Sequence, residues 1–260
     1  SRSFNIHELD AASNNHVDDI RNLIDQIRVP PQVGKYSVYI IDEVHMLSQQ
    51  AFNAFLKTLE EPPAHAVFIL ATTEKHKIIP TILSRCQIFD FKRISVREMM
   101  NHLASVAIRE SVEIDDTALN IIAQKADGSM RDALSIFDQV VSFSGKKVDY
   151  RSVIENLNVL DYEYYFKTTR AFLEGDYKKV LTIFNEILEY GFDSRNYLNG
   201  LGKHFRDLLM CKDEATIPLM ELSGEIADQY RSYSKKCTVD FLFKSLSIIG
   251  QADIDFKLAK

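Results

Sequence analysis

The octapeptide Val38-Tyr39-Ile40-Ile41-Asp42-Glu43-Val44-His45 gathers the residue types best suited to chemistry. Four apolar residues make a short run typical of a buried parallel strand, and two adjacent acids follow at its carboxyl end. In parallel α/β sheets that edge is where ligands collect. Asp42 can hold the Mg²⁺ of a nucleotide there, and Glu43 can polarise an attacking water, a Walker B pattern. The plainer reading is a pair of surface acids at a strand end. His45 is either a ligand or a helix-entry histidine in ordinary hydrogen bonding. A second apolar run, Ala66 to Ala71, ends in Thr72-Thr73. A hydroxyl at that tip can meet a γ-phosphate or orient the water, although threonine is common in strands anyway. Arg85, within Ser84-Arg85-Cys86, can stabilise a transferring phosphoryl group in a neighbouring subunit or make a surface ion pair. Arg131 falls in the first turn of a helix, where the dipole disfavours a cation. That placement invites a functional reason, such as reaching a nucleotide phosphate. Gly34-Lys35 looks like the end of a phosphate-binding loop, but G-x-x-x-x-G-K-[ST] needs Gly at 29 and Ser or Thr at 36. The sequence has Val29 and Tyr36, so no P-loop is present.

The elements that position these residues follow from periodicity. Phe4-Asn5-Ile6-His7-Glu8-Leu9 begins with strand-like alternation, and Val17, Ile20, Leu23, Ile24 and Ile27 repeat at helical spacing. Asp18 and Asp19 in the first turn and Arg28 at the end suit the dipole of that helix. Ser13, Asn14 and Asn15 precede it and are candidates to cap it, or to aim its N-terminus at a phosphate. Pro30-Pro31 and Gly34 break the chain before the strand at Val38. A helix from Ser48 to Glu61, with Phe52, Phe55, Leu56 and Leu59 on one face, stops at Pro62-Pro63. Ala66–Ala71 is a second strand, and Ile88-Phe89-Asp90-Phe91 is expected to be a third. This order implies a parallel, helix-covered sheet. From Ile94 the pattern turns helical. One stripe is Met99, Met100, Leu103 and Val106, and another runs from Ala118 to Ala126. A third helix stands behind Ser129-Met130-Arg131-Asp132, an S-x-x-D capping sequence. Residues 151–260 are expected to add five helices, punctuated by Gly175-Asp176, Gly191-Phe192-Asp193 and the Pro218 region.

Composition agrees with this. Nine glycines and six prolines in 260 residues are about half the usual share, which favours long helices over many short strands. The longest clear apolar run has six residues, far short of the roughly 20 of a membrane helix, and no charged-then-apolar leader begins the chain, so a cytoplasmic protein with no membrane partner is expected. Cys86, Cys211 and Cys237 are scattered, which fits a reducing compartment and gives neither a disulfide framework nor a zinc site. The net charge of −6 is spread as −1 over residues 1–93, −3 over 94–150 and −2 over 151–260. No segment is a basic tail, so any DNA contact must come from local geometry or neighbouring subunits.

Taken in order, Glu8 to Ser13, Val38 to Leu47, Phe52 to Pro63, Leu70 to Thr73, Ile82 to Cys86 and Gly128 to Leu134 resemble the gamma/tau subunit family of bacterial DNA polymerase III, the AAA+ clamp loaders. The resemblance is strong over residues 4–140; beyond them it extends only to helical character and length. It implies an α/β fold followed by an all-α part. Residues 1–93 would be a partial P-loop AAA+ ATPase core, 94–150 a three-helix lid, and 151–260 a helical collar for oligomerisation. It implies an ATPase subunit of the DNA-directed DNA polymerase III holoenzyme, using ATP and Mg²⁺ to load the sliding clamp on primer–template DNA within a hetero-pentamer of clamp-loader subunits. By this resemblance Asp42 serves Mg²⁺, Glu43 the hydrolytic water, Thr73 is the first sensor, Arg85 the finger acting on ATP in the adjacent subunit, and Arg131 the second sensor. Helix Val17–Ile27 and the turn Arg28 to Gly34 would face the clamp. Family members carry a P-loop and a four-cysteine zinc module ahead of the segment matched here. A chain lacking both is expected to be a motor cut inside its ATPase domain, inactive alone and with apolar surface free for self-association, and Zn is expected only in the missing module. A DExH helicase, from Asp42-Glu43-Val44-His45, and an inert structural subunit supplying only Arg85 are the competing readings.

Overall fold

A computed structural model describes residues 5–217, 220, 222 and 224–258. Phe4, at the start of the alternating stretch, and Pro218 lie outside them. The chain divides into two compact units between Phe91 and Lys92.

The first unit is a three-stranded parallel sheet in the order β1 (Ile6–Asp10), β2 (Ser37–Asp42), β3 (Ala66–Leu70). Helices α1 (Val17–Ile27) and α2 (Gln49–Glu60) make the two crossovers, and the short α3 (Pro80–Leu83) follows. Parallel strands need such crossovers because a tight turn cannot reverse the chain and bring it back in the same direction. The cause of the packing is visible in β2: Tyr39 and Ile41 are buried with Ile20, Leu23 and Ile27 of α1 and Phe52 and Phe55 of α2. Aromatic contacts extend that face: His7 stacks on Tyr39 with ring centroids 4.7 Å apart, and Phe68 meets Phe55 edge to face at 5.4 Å. Ser48 caps α2 by accepting the Ala51 N–H, which fixes the helix start that the sequence indicates. On the other face of the sheet, Ile6, Val67 and Ile69 are exposed.

Ile88-Phe89-Asp90-Phe91 is not a strand. The segment is irregular, Phe91 is 95% exposed and Phe89 69%, and the Asp90 carboxylate is instead ion-paired to Lys75 at 2.9 Å. A strand exists only through ladder bonds to a neighbour, and the described sheet ends at β3.

The second unit is helical. Helices α4 (Val96–Glu110), α5 (Asp116–Lys125), α6 (Met130–Ser144) and α7 (Tyr150–Leu157) enclose one core that includes Met99, Leu103, Ile122 and Phe137. Two-residue parallel strands, β4 (Glu113–Ile114) and β5 (Lys147–Val148), tie its ends together. Gly128 has φ +88°, and an added Cβ would lie 2.5 Å from Arg93 Cβ, so this turn admits only glycine. Helices α8 (Tyr162–Glu174), α9 (Tyr177–Glu189), α10 (Ser194–Met210), α11 (Gly224–Ser234) and α12 (Val239–Leu258) surround a second core with Phe166, Ile187, Phe205, Tyr230 and Leu242. Residue 150 is the first of α7, whose Val153 packs in the first of these cores.

Candidate active site

Asp42, Glu43 and Thr73 gather at the carboxyl edge of the sheet. Asp42 is the last residue of β2 and stands in register beside Asp10, the last of β1. Pairing continues past the strands: Ala71 N–H donates to Ile41 O, Val44 N–H to Ala71 O, and Ala11 N–H to Asp42 O, each at 2.9–3.0 Å. These bonds hold the turn after β2 against the turn after β3, which brings residues 30 apart in sequence together.

Glu43 is left-handed, with φ 46° and ψ 43°, a conformation that costs a non-glycine residue about 1 kcal/mol or more. The strain has a visible result. The Glu43 carboxylate reaches the neighbouring turn, where Oε2 accepts the Thr73 hydroxyl at 3.0 Å and the Thr73 N–H at 3.3 Å. Asp42 is exposed, and its Oδ1 accepts the Glu43 N–H at 2.9 Å. One carboxylate at a strand end with a second oxygen to offer suits Mg²⁺, which keeps several waters and takes only one or two protein carboxylates. His45 is half-buried and hydrogen-bonded, the plainer of its two readings: Nδ1 lies 3.0 Å from Thr72 Oγ1.

Hydrogen bonds lower the pKa of two neighbouring acids. The Ser13 hydroxyl and then the Ala12 N–H, both donating to Asp10, keep its carboxyl below the ordinary carboxylate range. Glu74 is lowered too, first by its hydrogen bond from Lys77. Neither residue stands out in the sequence; the signal for Asp10 is a second strand-end acid in register with Asp42.

Arg85 is elsewhere in the first unit. Its guanidinium donates to Thr81 O at 2.7 Å and pairs with Glu60 Oε1 at 2.9 Å, the surface ion pair weighed against a finger role. Arg131 is exposed in the first turn of α6, in the second unit. Ser13, Asn14 and Asn15 do not cap α1. The cap position is His16, while the Ser13 hydroxyl and Asn14 amide turn back onto Asp10. Local Asx-type bonds compete with capping for such side chains. Gly34-Lys35 connects a helix to a strand, the reverse of the strand-to-helix loop that cradles phosphate. The loop from Arg28 to Gly34 exposes Val29 and Val33. Among the described residues no cluster of three or more His, Cys, Asp and Glu side chains could hold a metal, and no helix is long and apolar enough to cross a membrane.

Two family models match in succession: "DNA polymerase III, delta subunit" over residues 4–95, and "DNA polymerase III clamp loader subunit, ATPase lid domain" over residues 98–146. The tau subunit of Bacillus subtilis DNA polymerase III is 39% identical over 96% of this chain and 44% of its own length. The gamma subunit of Buchnera aphidicola (Schizaphis graminum) is 39% identical over 79% of this chain and 56% of its own, and the Escherichia coli tau subunit 40% over 74% and 30%. The chain thus spans about half or less of the length of these relatives. A partial AAA+ sheet with Asp42-Glu43 at its edge, a helical lid and a further helical segment follow one another in the order those matches require, and the chain belongs to the gamma/tau clamp-loader subunit family of bacterial DNA polymerase III.

Proposed function

We propose that this chain carries the water-activating edge of a clamp-loader motor, which uses ATP binding and hydrolysis to load a sliding clamp on primer–template DNA. The observation that carries the reading is the contact of Glu43 with Thr73 across two adjacent strand ends. Asp42 would hold Mg²⁺, which when bound would supply charge neutralisation at the phosphates. Glu43 takes the proton of the attacking water, and Thr73 orients the water or meets the γ-phosphate. Both act at an edge whose geometry is fixed in advance by backbone bonds, so little reorganisation is left for the chemical step. Arg85 leaves Glu60 to reach ATP on an adjacent subunit, and Arg131 couples the lid to the phosphates.

The helical lid match favours this over a DExH helicase, and the intact Asp42-Glu43 pair favours a motor over an inert subunit. Other clamp-loader subunits in a hetero-pentamer, the clamp and DNA are the proposed partners, in the cytoplasm. Residues 1–93, 94–150 and 151–260 serve as ATPase part, lid and collar. No G-x-x-x-x-G-K-[ST] loop occurs in the sequence, and we infer that the 260 residues alone neither bind ATP tightly nor hydrolyse it. The test is clamp loading by a complete clamp-loader complex containing the full-length subunit with Glu43→Gln. Clamp binding is expected to persist and clamp release on primed DNA to fail; release at the native rate would overturn the reading.

A further inference from the structure

His45 joins the two turns that make the site. Its side chain is only 7% exposed, and each ring nitrogen faces a carboxylate: Nδ1 is 3.2 Å from Glu43 Oε2, and Nε2 is 3.1 Å from Glu74 Oε2. Nδ1 is also 3.0 Å from Thr72 Oγ1, and that hydroxyl accepts the Glu74 N–H at 3.0 Å. Residue 43 on the turn after β2 is therefore tied through one ring to residues 72 and 74 on the turn after β3. The tie is anchored at its far end, where Lys77 holds Glu74 Oε2 at 2.5 Å.

A single oxygen of Glu43 receives the ring, the Thr73 hydroxyl and the Thr73 N–H. All three contacts fall on Oε2, so together they restrain where the carboxylate points and leave Oε1 as the oxygen that can meet water. His45 and Thr73 are the two residues that impose this restraint. We propose that His45 is a positioning residue for Glu43, setting the direction of the base relative to the turn that carries Thr73. It touches neither substrate nor water in this role. A displacement of a base by about 1 Å costs on the order of 10²-fold in rate, so a residue that removes one of the two constraints need not be near the nucleotide to matter.

The inference rests on Glu43 acting as the base. Single-turnover ATP hydrolysis and nucleotide KM in a complete clamp-loader complex containing the full-length subunit separate the two claims. His45→Ala is expected to lower kcat by about 10- to 100-fold with KM unchanged, and to have no further effect in a Glu43→Gln background. His45→Asn, which places an amide N–H near the position of Nδ1, is expected to recover most of the rate. His45→Gln, which reaches toward Glu74 instead, is not. If His45→Ala does not fold, the Asn and Gln variants alone decide. An unchanged kcat in His45→Ala, equal rates in the Asn and Gln variants, or an equal loss in the Glu43→Gln background overturns the role of His45. An unchanged rate in Glu43→Gln itself overturns the base assignment instead.

Discussion

The side chains of His45 and His204 are both little exposed and both engaged through both ring nitrogens, yet they sit in opposite surroundings. His45 lies at the rim of the sheet, between the carboxylates of Glu43 and Glu74 and the Thr72 hydroxyl. His204 lies inside the α8–α12 core, where Nε2 meets Thr169 Oγ1 at 2.9 Å and Nδ1 meets Tyr230 OH at 2.7 Å. Aromatic rings surround it: Tyr165, Phe166, Phe205 and Tyr230 all have centroids within 6 Å. Burial pushes the His204 pKa down to about 3, so the ring stays neutral and serves packing. The rim instead keeps charged partners and a strained Glu43, at some cost in stability. Both nitrogens of His204 are satisfied within the core, whereas at the rim the bonds to Glu43 all fall on one carboxylate oxygen.

The largest effect that would sharpen this contrast is in the pH dependence of stability. The unfolded chain protonates His204 near pH 6.5, whereas the folded chain does so only near 3. Between those values the unfolded state binds more protons, so His204 makes stability rise with pH, by up to about 1.4 kcal/mol per unit. Its contribution is complete above about pH 6.5 and is lost progressively on acidification. The stability difference between the native chain and His204→Gln, from urea unfolding of the second unit, is expected to grow from pH 3 to pH 6.5 and stay level above. A difference independent of pH would mean that the ring is not held neutral.

Next is the close approach of α10 to α8. A Cβ on Gly200 would fall 2.0 Å from Tyr165 OH and 2.6 Å from its Cζ, and Tyr165 is itself stacked between Tyr197 and His204. Gly200→Ala is expected to cost roughly 1–3 kcal/mol by overpacking, seen as a lower Tm. An unchanged Tm would show that the aromatic core can give way. The smallest effect expected is at Asp115, which caps α5 by accepting the Ala118 N–H at 2.6 Å and also accepts the Tyr150 N–H at 3.1 Å at the start of α7. Asp115→Ala is expected to cost about 1 kcal/mol, while Asp115→Asn, which keeps an acceptor, should lose less.

The sheet edge was legible because a continuous apolar strand ending in two acids is a local pattern. Helix α2 was likewise written in its own residues, from the Ser48 cap to Pro62-Pro63. What joins residues across the sheet was not. His45 meets Thr72 over 27 positions of sequence, and no spacing rule connects a strand-end histidine to the next strand's turn. Ile88–Phe91 shows the converse: its composition favours a strand, but a strand also needs a neighbour, which composition does not supply. The β4–β5 pairing rests on two residues from each strand, too few for any periodicity. Asp10 could have been read from its place at the end of β1, had the register with Asp42 been known.

On the function proposed here for the chain, Glu43 is strained into place for chemistry and not for stability. The direct measurement is single-turnover ATP hydrolysis by a complete clamp-loader complex carrying Glu43→Gln, made alongside the Tm of the same subunit. The predicted result is hydrolysis reduced by about 10²-fold or more, ATP binding retained and Tm unchanged or raised. Hydrolysis at the native rate, with the Tm lowered, would contradict it.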